Sequence, residues 1–167
     1  MVLQRAQKRW YAAHPSRGIL TPYAFIDILE NAGLIYKLDL YIWEKAAQKL
    51  AEWKEKGYGS YHISVNISTK DFYIIDIYET FTGLINKYGI VASNLHLEIT
   101  ETTLMTDFEK NMNIIHKLQD VGFRVEIDDF GSGYSSLNML KDISADVLKI
   151  DMGFLANLRT RSRDRIY

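Results

Sequence analysis

Asn66, Glu98 and Asp128 recur at intervals of 32 and then 30 positions, Asp129 stands beside the last, and Lys149 follows. An all-oxygen set of this kind suits a hard divalent cation, Mg²⁺ or Mn²⁺, better than zinc. Two adjacent carboxylates, Asp128 and Asp129, can serve two different ions or bridge a pair. Paired metals a few ångströms apart are a standard arrangement for in-line attack at phosphorus. A lysine near such a pair orients the attacking water or balances phosphate charge, and needs no lowered pKa to do so.

The elements that must position these side chains are legible as alternating runs. His62 to Ser68, Leu95 to Thr100, Arg124 to Asp129 and Val147 to Asp151 read as strands, each carrying one of the singled-out residues near its C-terminal end. Between them, Phe81, Leu84, Ile85 and Tyr88 mark a helix stopped at Gly89, and Phe108, Met112, Ile115 and Leu118 another stopped at Gly122. Earlier, Thr21-Pro22 reads as a start signal for a helix through Phe25, Ile28, Leu29 and Ala32 that Gly33 closes. A longer helix follows through Leu38, Ile42, Ala46, Leu50 and Trp53 and ends near Gly57. Strands that alternate with helices predict parallel βα units, and one site residue per unit at the strand ends is the layout of a (β/α) barrel.

Parity separates the two faces of each strand. Ile63, Val65 and Ile67 oppose His62, Ser64, Asn66 and Ser68, while Leu95, Leu97 and Ile99 oppose His96, Glu98 and Thr100. Val125 and Ile127 oppose Arg124, Glu126 and Asp128, and Leu148 and Ile150 oppose Val147, Lys149 and Asp151. With the apolar parity packed on helices, the polar parity points into the barrel, which is normally filled with branched apolar side chains. Burying an unpaired polar group costs about 2–7 kcal/mol and an isolated carboxylate far more. Four polar strand faces are therefore explained better as a site, with metal ions and Lys149 offsetting the carboxylates, than as packing. The competing explanation is an open sheet with one wet face, which the continuous βα order disfavours because both faces of a parallel sheet are usually covered.

Composition removes several classes. The 167 residues are 47% hydrophobic and 25% charged, the balance of a single soluble globular domain, here 1–167. There is no cysteine, which excludes disulfides and thiolate metal sites. No apolar run reaches the ~18 residues of a membrane span, and no signal peptide opens the chain, so a cytoplasmic location is expected. A net charge of −1 argues against DNA or RNA as a partner. Arg5, Lys8 and Arg9, and Arg159, Arg161, Arg163 and Arg165, read as solvated termini in preference to a phosphate or partner contact. Asp129-Phe130-Gly131 spells the metal-binding triplet of protein kinases, but no Gly-rich loop, strand lysine or His-Arg-Asp segment accompanies it. Gly131-Ser132-Gly133 lacks the Gly-Lys-Ser/Thr ending of a P-loop.

In order and spacing, Val65-Asn66-Ile67-Ser68, Leu97-Glu98-Ile99-Thr100-Glu101, Ile127-Asp128-Asp129-Phe130-Gly131-Ser132-Gly133-Tyr134-Ser135-Ser136-Leu137 and Lys149-Ile150-Asp151 resemble the successive signature segments of the EAL family. Arg17 to Pro22, Phe25-Ile26 and Gly33-Leu34-Ile35 are similar to that family's early helical region. The resemblance implies a modified (β/α)₈ barrel that opens cyclic-di-GMP, a bacterial second messenger, to a linear dinucleotide with two Mg²⁺ or Mn²⁺ ions. Carried over by motif, Asn66, Glu98 and Asp128 would be metal ligands and Asp129 would serve the second metal. Lys149 would sit at the nucleophilic water and the phosphate. Glu101 would hold the Asp129–Leu137 loop, which in the family links metal, substrate and dimerisation.

Departures from the pattern shape the functional expectation. Arg9-Trp10 is present, but Arg5-Ala6-Gln7 stands where the family carries Glu-Ala-Leu, so a cation replaces a ligand carboxylate. The sequence reaches Tyr167 before the family's later glutamate ligand and the glutamine beyond it. The expected fold is an α/β, incomplete TIM-like barrel with at most five strands, Leu3 to Trp10 being the fifth, against about 250 residues for a full barrel. An open edge after Asp151, flanked by Phe154, Leu155 and Leu158, predicts a homodimer. Three functions follow: a metal-dependent cyclic-di-GMP phosphodiesterase that is catalytically impaired as this chain, a degenerate scaffold that binds the nucleotide, or a protein-interaction module.

Overall fold

The apolar parity of each strand decides the architecture, because those side chains need a helical layer to cover them. Leu95, Leu97, Ile99, Val125 and Ile127 are fully buried, and Val65 and Ile67 nearly so. The computed structural model describes residues 12–14, 16, 18–20, 25–131, 141 and 143–153. The Thr21-Pro22 signal, the strand read over Leu3 to Trp10, Arg5, both basic clusters, Ser132 to Leu137, and Phe154, Leu155 and Leu158 lie outside the described residues.

A short antiparallel hairpin comes first, β1 (Ala12–His14) with β2 (Gly18–Leu20). Helices α1 (Ile26–Asn31) and α2 (Ile35–Glu55) follow. The sheet is then built from β3 (Ile63–Ile67), β4 (Leu95–Thr100), β5 (Arg124–Phe130) and β6 (Val147–Ile150). Helices α3 (Asp71–Ile74) and α4 (Ile77–Tyr88) connect β3 to β4, and α5 (Glu101–Thr106) and α6 (Phe108–Val121) connect β4 to β5. The four strands are parallel and in sequential order, as expected, so the sheet is an open run of βα units among the described residues.

Local chemistry sets the helix ends. Asp76 caps α4 by accepting from Glu79 N, and Gly89 ends it at φ 59°, a left-handed turn that glycine adopts without penalty. The inner stripe of α2 is Trp43, Ala46, Ala47 and Leu50, at i, i+3, i+4 and i+7. Trp43 is fully buried, meets Phe81 of α4 at 4.7 Å between ring centroids, and donates from Nε1 to the carbonyl oxygen of Asn66 at 2.9 Å. The outer helical layer is thereby tied to the strand end that carries a site residue.

Three features differ from the sequence reading. The hairpin was not foreseen, and neither were α3 and α5, of four and six residues, whose segments Asp71–Ile74 and Glu101–Thr106 carry no apolar pair at i, i+3 or i, i+4 spacing. The helix through Phe25 to Ala32 forms as α1, yet it buries none of its residues and Ile28 is 66% exposed. Periodicity marks an amphipathic helix without saying what covers it. No helix among the described residues is long and apolar enough to cross a membrane.

One buried contact in the helical layer joins two carboxyls. Asp71 is fully buried and accepts from both Ser68 N and Ser68 Oγ at 2.8 Å through Oδ2. Its other oxygen and Asp39 Oδ2 are shut off from solvent with no donor in reach among the described residues, and the two carboxyls meet each other. Burial, then the charge and hydrogen bond of Asp71, and last the charge of Glu30 push Asp39 up from 3.8 to about 7. Burial likewise raises Asp71. One shared proton satisfies both orphaned oxygens. The folded state then holds that proton more tightly than the unfolded chain, so this pair's contribution to stability falls as pH rises from 3.8 to about 7 and levels off above. Urea denaturation between these limits is expected to show the wild type losing stability relative to Asp39→Asn as pH rises; parallel curves would rule out the shared proton.

Candidate active site

The polar face of the sheet gathers its charges at the C-terminal strand ends. Pairing places Asn66 abreast of Glu98, and Glu98 abreast of Glu126, while Asp128 stands one step higher beside Thr100. Lys149 reaches from β6 across β5 to β4. Its Nζ lies 2.5 Å from Glu98 Oε1, 2.7 Å from Glu126 Oε2 and 3.8 Å from Asp128 Oδ2. One ammonium thus serves three carboxylates, at side-chain exposures of 16% for Lys149, 13% for Glu98, 7% for Glu126 and 35% for Asp128. Glu98, Asp128 and Lys149 therefore converge on one face and at one end, as the parity reading requires. Asn66 joins them by register and is exposed.

Asp128 and Asp129 share the site through a break in the alternation. Ile127 pairs with Leu148 but Phe130 pairs with Ile150, so two residues of β5 oppose the single Lys149 of β6. This bulge returns Phe130 to the core, 1% exposed, and leaves Asp129 exposed. Asp129 takes φ 55°, unusual outside glycine, and its N–H donates to Asp128 Oδ1 at 3.0 Å. A short polar residue tolerates that conformation better than a branched one.

Glu101, 2% exposed, opens α5 directly after β4 and accepts from Gly131 N at 2.5 Å through Oε2. It ties the end of β5 to the neighbouring strand end. The rim is braced further by Thr103 Oγ1, 2.9 Å from both Thr69 Oγ1 and Thr100 Oγ1, and by Asn111 Nδ2, which donates to the carbonyl of Thr103 at 3.0 Å. At the start of β6, Asp146 Oδ2 accepts from Val125 N at 2.8 Å and from Gln119 Nε2 at 3.1 Å, which fixes where the Lys149 strand begins.

Glu126 is the member that sequence reasoning did not single out. Parity had put it on the polar face, and its burial is what marks it as part of the group. Burial raises its pKa, but hydrogen bonds from Lys149 and His96, with their charges, outweigh this and bring it down from 4.5 to about 2. The donor types of Asn66, Glu98, Asp128 and Asp129 fit Mg²⁺ or Mn²⁺. In the arrangement described, however, Lys149 neutralises Glu98, and among the described residues no three His, Asp or Glu side chains are gathered closely enough to hold an ion.

A parallel βα sheet with carboxylates and one lysine gathered toward its C-terminal strand ends has the TIM-barrel-like layout, in which a site lies at that face. The profile of the EAL domain matches residues 6–167, and the chain belongs to that family. It is 34% identical over 164 residues to the bifunctional diguanylate cyclase/cyclic di-GMP phosphodiesterase MucR of Pseudomonas aeruginosa, covering 98% of this chain and 24% of that protein. It is 31% identical over 156 residues to the cyclic di-GMP phosphodiesterase NbdA of the same organism, covering 93% of this chain and 20% of that one. The solved structure of the MucR phosphodiesterase in complex with c-di-GMP superposes with a TM-score of 0.79 at 34% identity, over 92% of this chain and 62% of the other. The chain thus spans about a quarter or less of these two curated relatives and under two thirds of that solved chain.

Glu101→Ala leaves the Gly131 N–H without this acceptor, at a cost of about 1–3 kcal/mol. Hydrogen exchange at the Gly131 amide is expected to quicken by about tenfold or more, since ~1.4 kcal/mol is a factor of ten. An unchanged rate would show that Glu101 does not hold this turn.

Proposed function

We propose that this chain carries a cyclic-di-GMP site of the phosphodiesterase type and that, as a 167-residue chain, it binds the nucleotide without efficient turnover. The observation behind this reading is the single ammonium of Lys149 held among Glu98, Glu126 and Asp128 at the C-terminal end of the sheet, in a family with a solved c-di-GMP complex. Lys149 would meet a phosphate of the ligand, and Glu101, through Gly131, would hold the end of β5 beside it. Asn66, Glu98, Asp128 and Asp129 would hold Mg²⁺ or Mn²⁺, which when bound supplies an activated water. Arg5, standing where the family carries a ligand glutamate, is the reason to expect impairment: it removes a negative charge and brings a positive one toward the cations. A nucleotide second messenger acts inside the cell, so the reading places the chain in the cytoplasm.

The second reading, a nucleotide-binding or protein-docking scaffold with no catalysis at all, is favoured by the pairing of Lys149 with Glu98, which occupies a carboxylate that catalysis needs for metal. Calorimetric titration with cyclic-di-GMP, with and without Mg²⁺, together with chromatography of the products, separates the readings. Binding with only slow release of the linear dinucleotide is expected, because losing one feature that stabilises transition-state charge commonly costs about 3–4 kcal/mol, whereas binding with no product at all marks the nucleotide-binding scaffold. Steady turnover that Asp128→Asn abolishes would restore the full enzyme, and no binding would leave only the scaffold.

Self-association belongs to the same proposal. Strand β6 pairs only with β5 among the described residues, and Val147, Ile150 and Met152 are 37%, 46% and 76% exposed. An unpaired edge with apolar neighbours favours pairing with a second copy, most simply as a two-fold dimer. Light scattering is expected to give a dimer mass that Ile150→Lys lowers; a stable wild-type monomer at micromolar concentration would refute it.

A further inference from the structure

Beside Glu98 and beneath Asp128 the polar face continues through side chains to which the family resemblance assigns no role. Glu126 is 5% exposed, and its two oxygens are engaged separately, Oε1 2.6 Å from His96 Nδ1 and Oε2 2.7 Å from Lys149 Nζ. An ionised carboxylate only accepts, so His96 presents its Nδ1–H to Glu126. His96 is 7% exposed and lies flat on His62, with ring centroids 4.0 Å apart and planes at 8°. His62, at the start of β3, His96 on β4, Glu126 on β5 and Lys149 on β6 thus form one series across the sheet that ends on the ammonium.

A lysine side chain is flexible, and fixing its ammonium costs rotamer entropy. Of the three carboxylates that reach Lys149, Glu98 and Asp128 are those a cation would compete for. Glu126, abreast of Glu98 and one step below Asp128, is held from its far side by His96. We propose that Glu126, oriented by His96, is a positioning residue that seats the Lys149 ammonium for a ligand phosphate. The identity of that phosphate as cyclic-di-GMP rests on the function proposed above.

Simple charge balance and positioning predict opposite signs. A carboxylate near a phosphate repels it, so by Coulomb's law alone Glu126→Gln tightens binding of an anionic ligand. If Glu126 seats Lys149, the same variant weakens binding. The test measures affinity for a phosphorothioate analogue of cyclic-di-GMP, which resists cleavage, in Mg²⁺ buffer, using the whole chain and variants whose folding is checked by thermal melting. Glu126→Gln is expected to weaken binding by about tenfold, and by less than about twofold when Lys149→Met is already present, the mark of action through that lysine. His96→Asn, whose amide can replace the Nδ1–H, is expected to keep most of the affinity that His96→Ala loses, and this pair serves if Glu126→Gln does not fold. Tighter or unchanged binding in Glu126→Gln, or equal weakening with and without Lys149, overturns the proposal. If the wild type binds no analogue, the functional reading has failed and positioning is judged on the ammonium itself. Its slowly exchanging NMR signal, assigned by its absence from Lys149→Met, is expected to vanish in Glu126→Gln and His96→Ala; its persistence in both overturns the proposal.

Discussion

The site depends on keeping several carboxylates together on the inner face of a sheet whose other face is fully apolar. Like charges abreast on neighbouring strands repel, and burial makes the repulsion worse by weakening solvent screening. Lys149 resolves this by lying between Glu98 and Glu126 while staying in reach of Asp128. His96 supplies a second donor to Glu126, so the most buried of these three carboxylates is hydrogen-bonded on both oxygens. Breaking a buried pair is commonly more costly than the net worth of the pair, because the remaining charge is left uncompensated. The arrangement is therefore better understood as one that holds a specific geometry than as a source of stability.

That geometry is passed to the backbone by features at the strand ends. The bulge in β5 sets two aspartates against one lysine and turns Phe130 back into the core. Glu101 then takes the N–H of Gly131, and Asp146 takes the N–H of Val125 at the opposite end of the same strand. Strand β5 is thus pinned at both ends by carboxylates from adjacent elements, and β3 is tied through the Asn66 carbonyl to Trp43 of α2. Side chains held on strand ends with such support keep their separation better than side chains on free loops.

The same physics gives the helical layer its own charged contact. Among the described residues no cation lies between Asp39 and Asp71, and a shared proton does there what Lys149 does in the sheet. Ser68, two residues beyond Asn66, anchors Asp71 with two hydrogen bonds, so this pair also bears on the strand end that carries the site.

Much of this was legible in the residues. The 3.6 and 2.0 periods placed the four strands and the three longer helices, and Gly89 and Gly122 marked the ends of two helices, since turns and periodicity are local properties. Strand parity put Asn66, Glu98, Asp128 and Lys149 on one face, and motif order named the family that the profile match shows. Register was not local. The intervals of 32 and 30 invited Glu98 and Asp128 to be taken as equivalents, whereas pairing sets Glu126 abreast of Glu98 and lifts Asp128 one step. Only the three-dimensional arrangement decided that Glu126 joins the site, that a bulge puts Asp129 with Asp128 opposite Lys149, and that Asp39 meets Asp71 across two helices. Those are contacts between residues distant in the chain, and they depend on which strand steps past which, a quantity that no single strand's pattern contains.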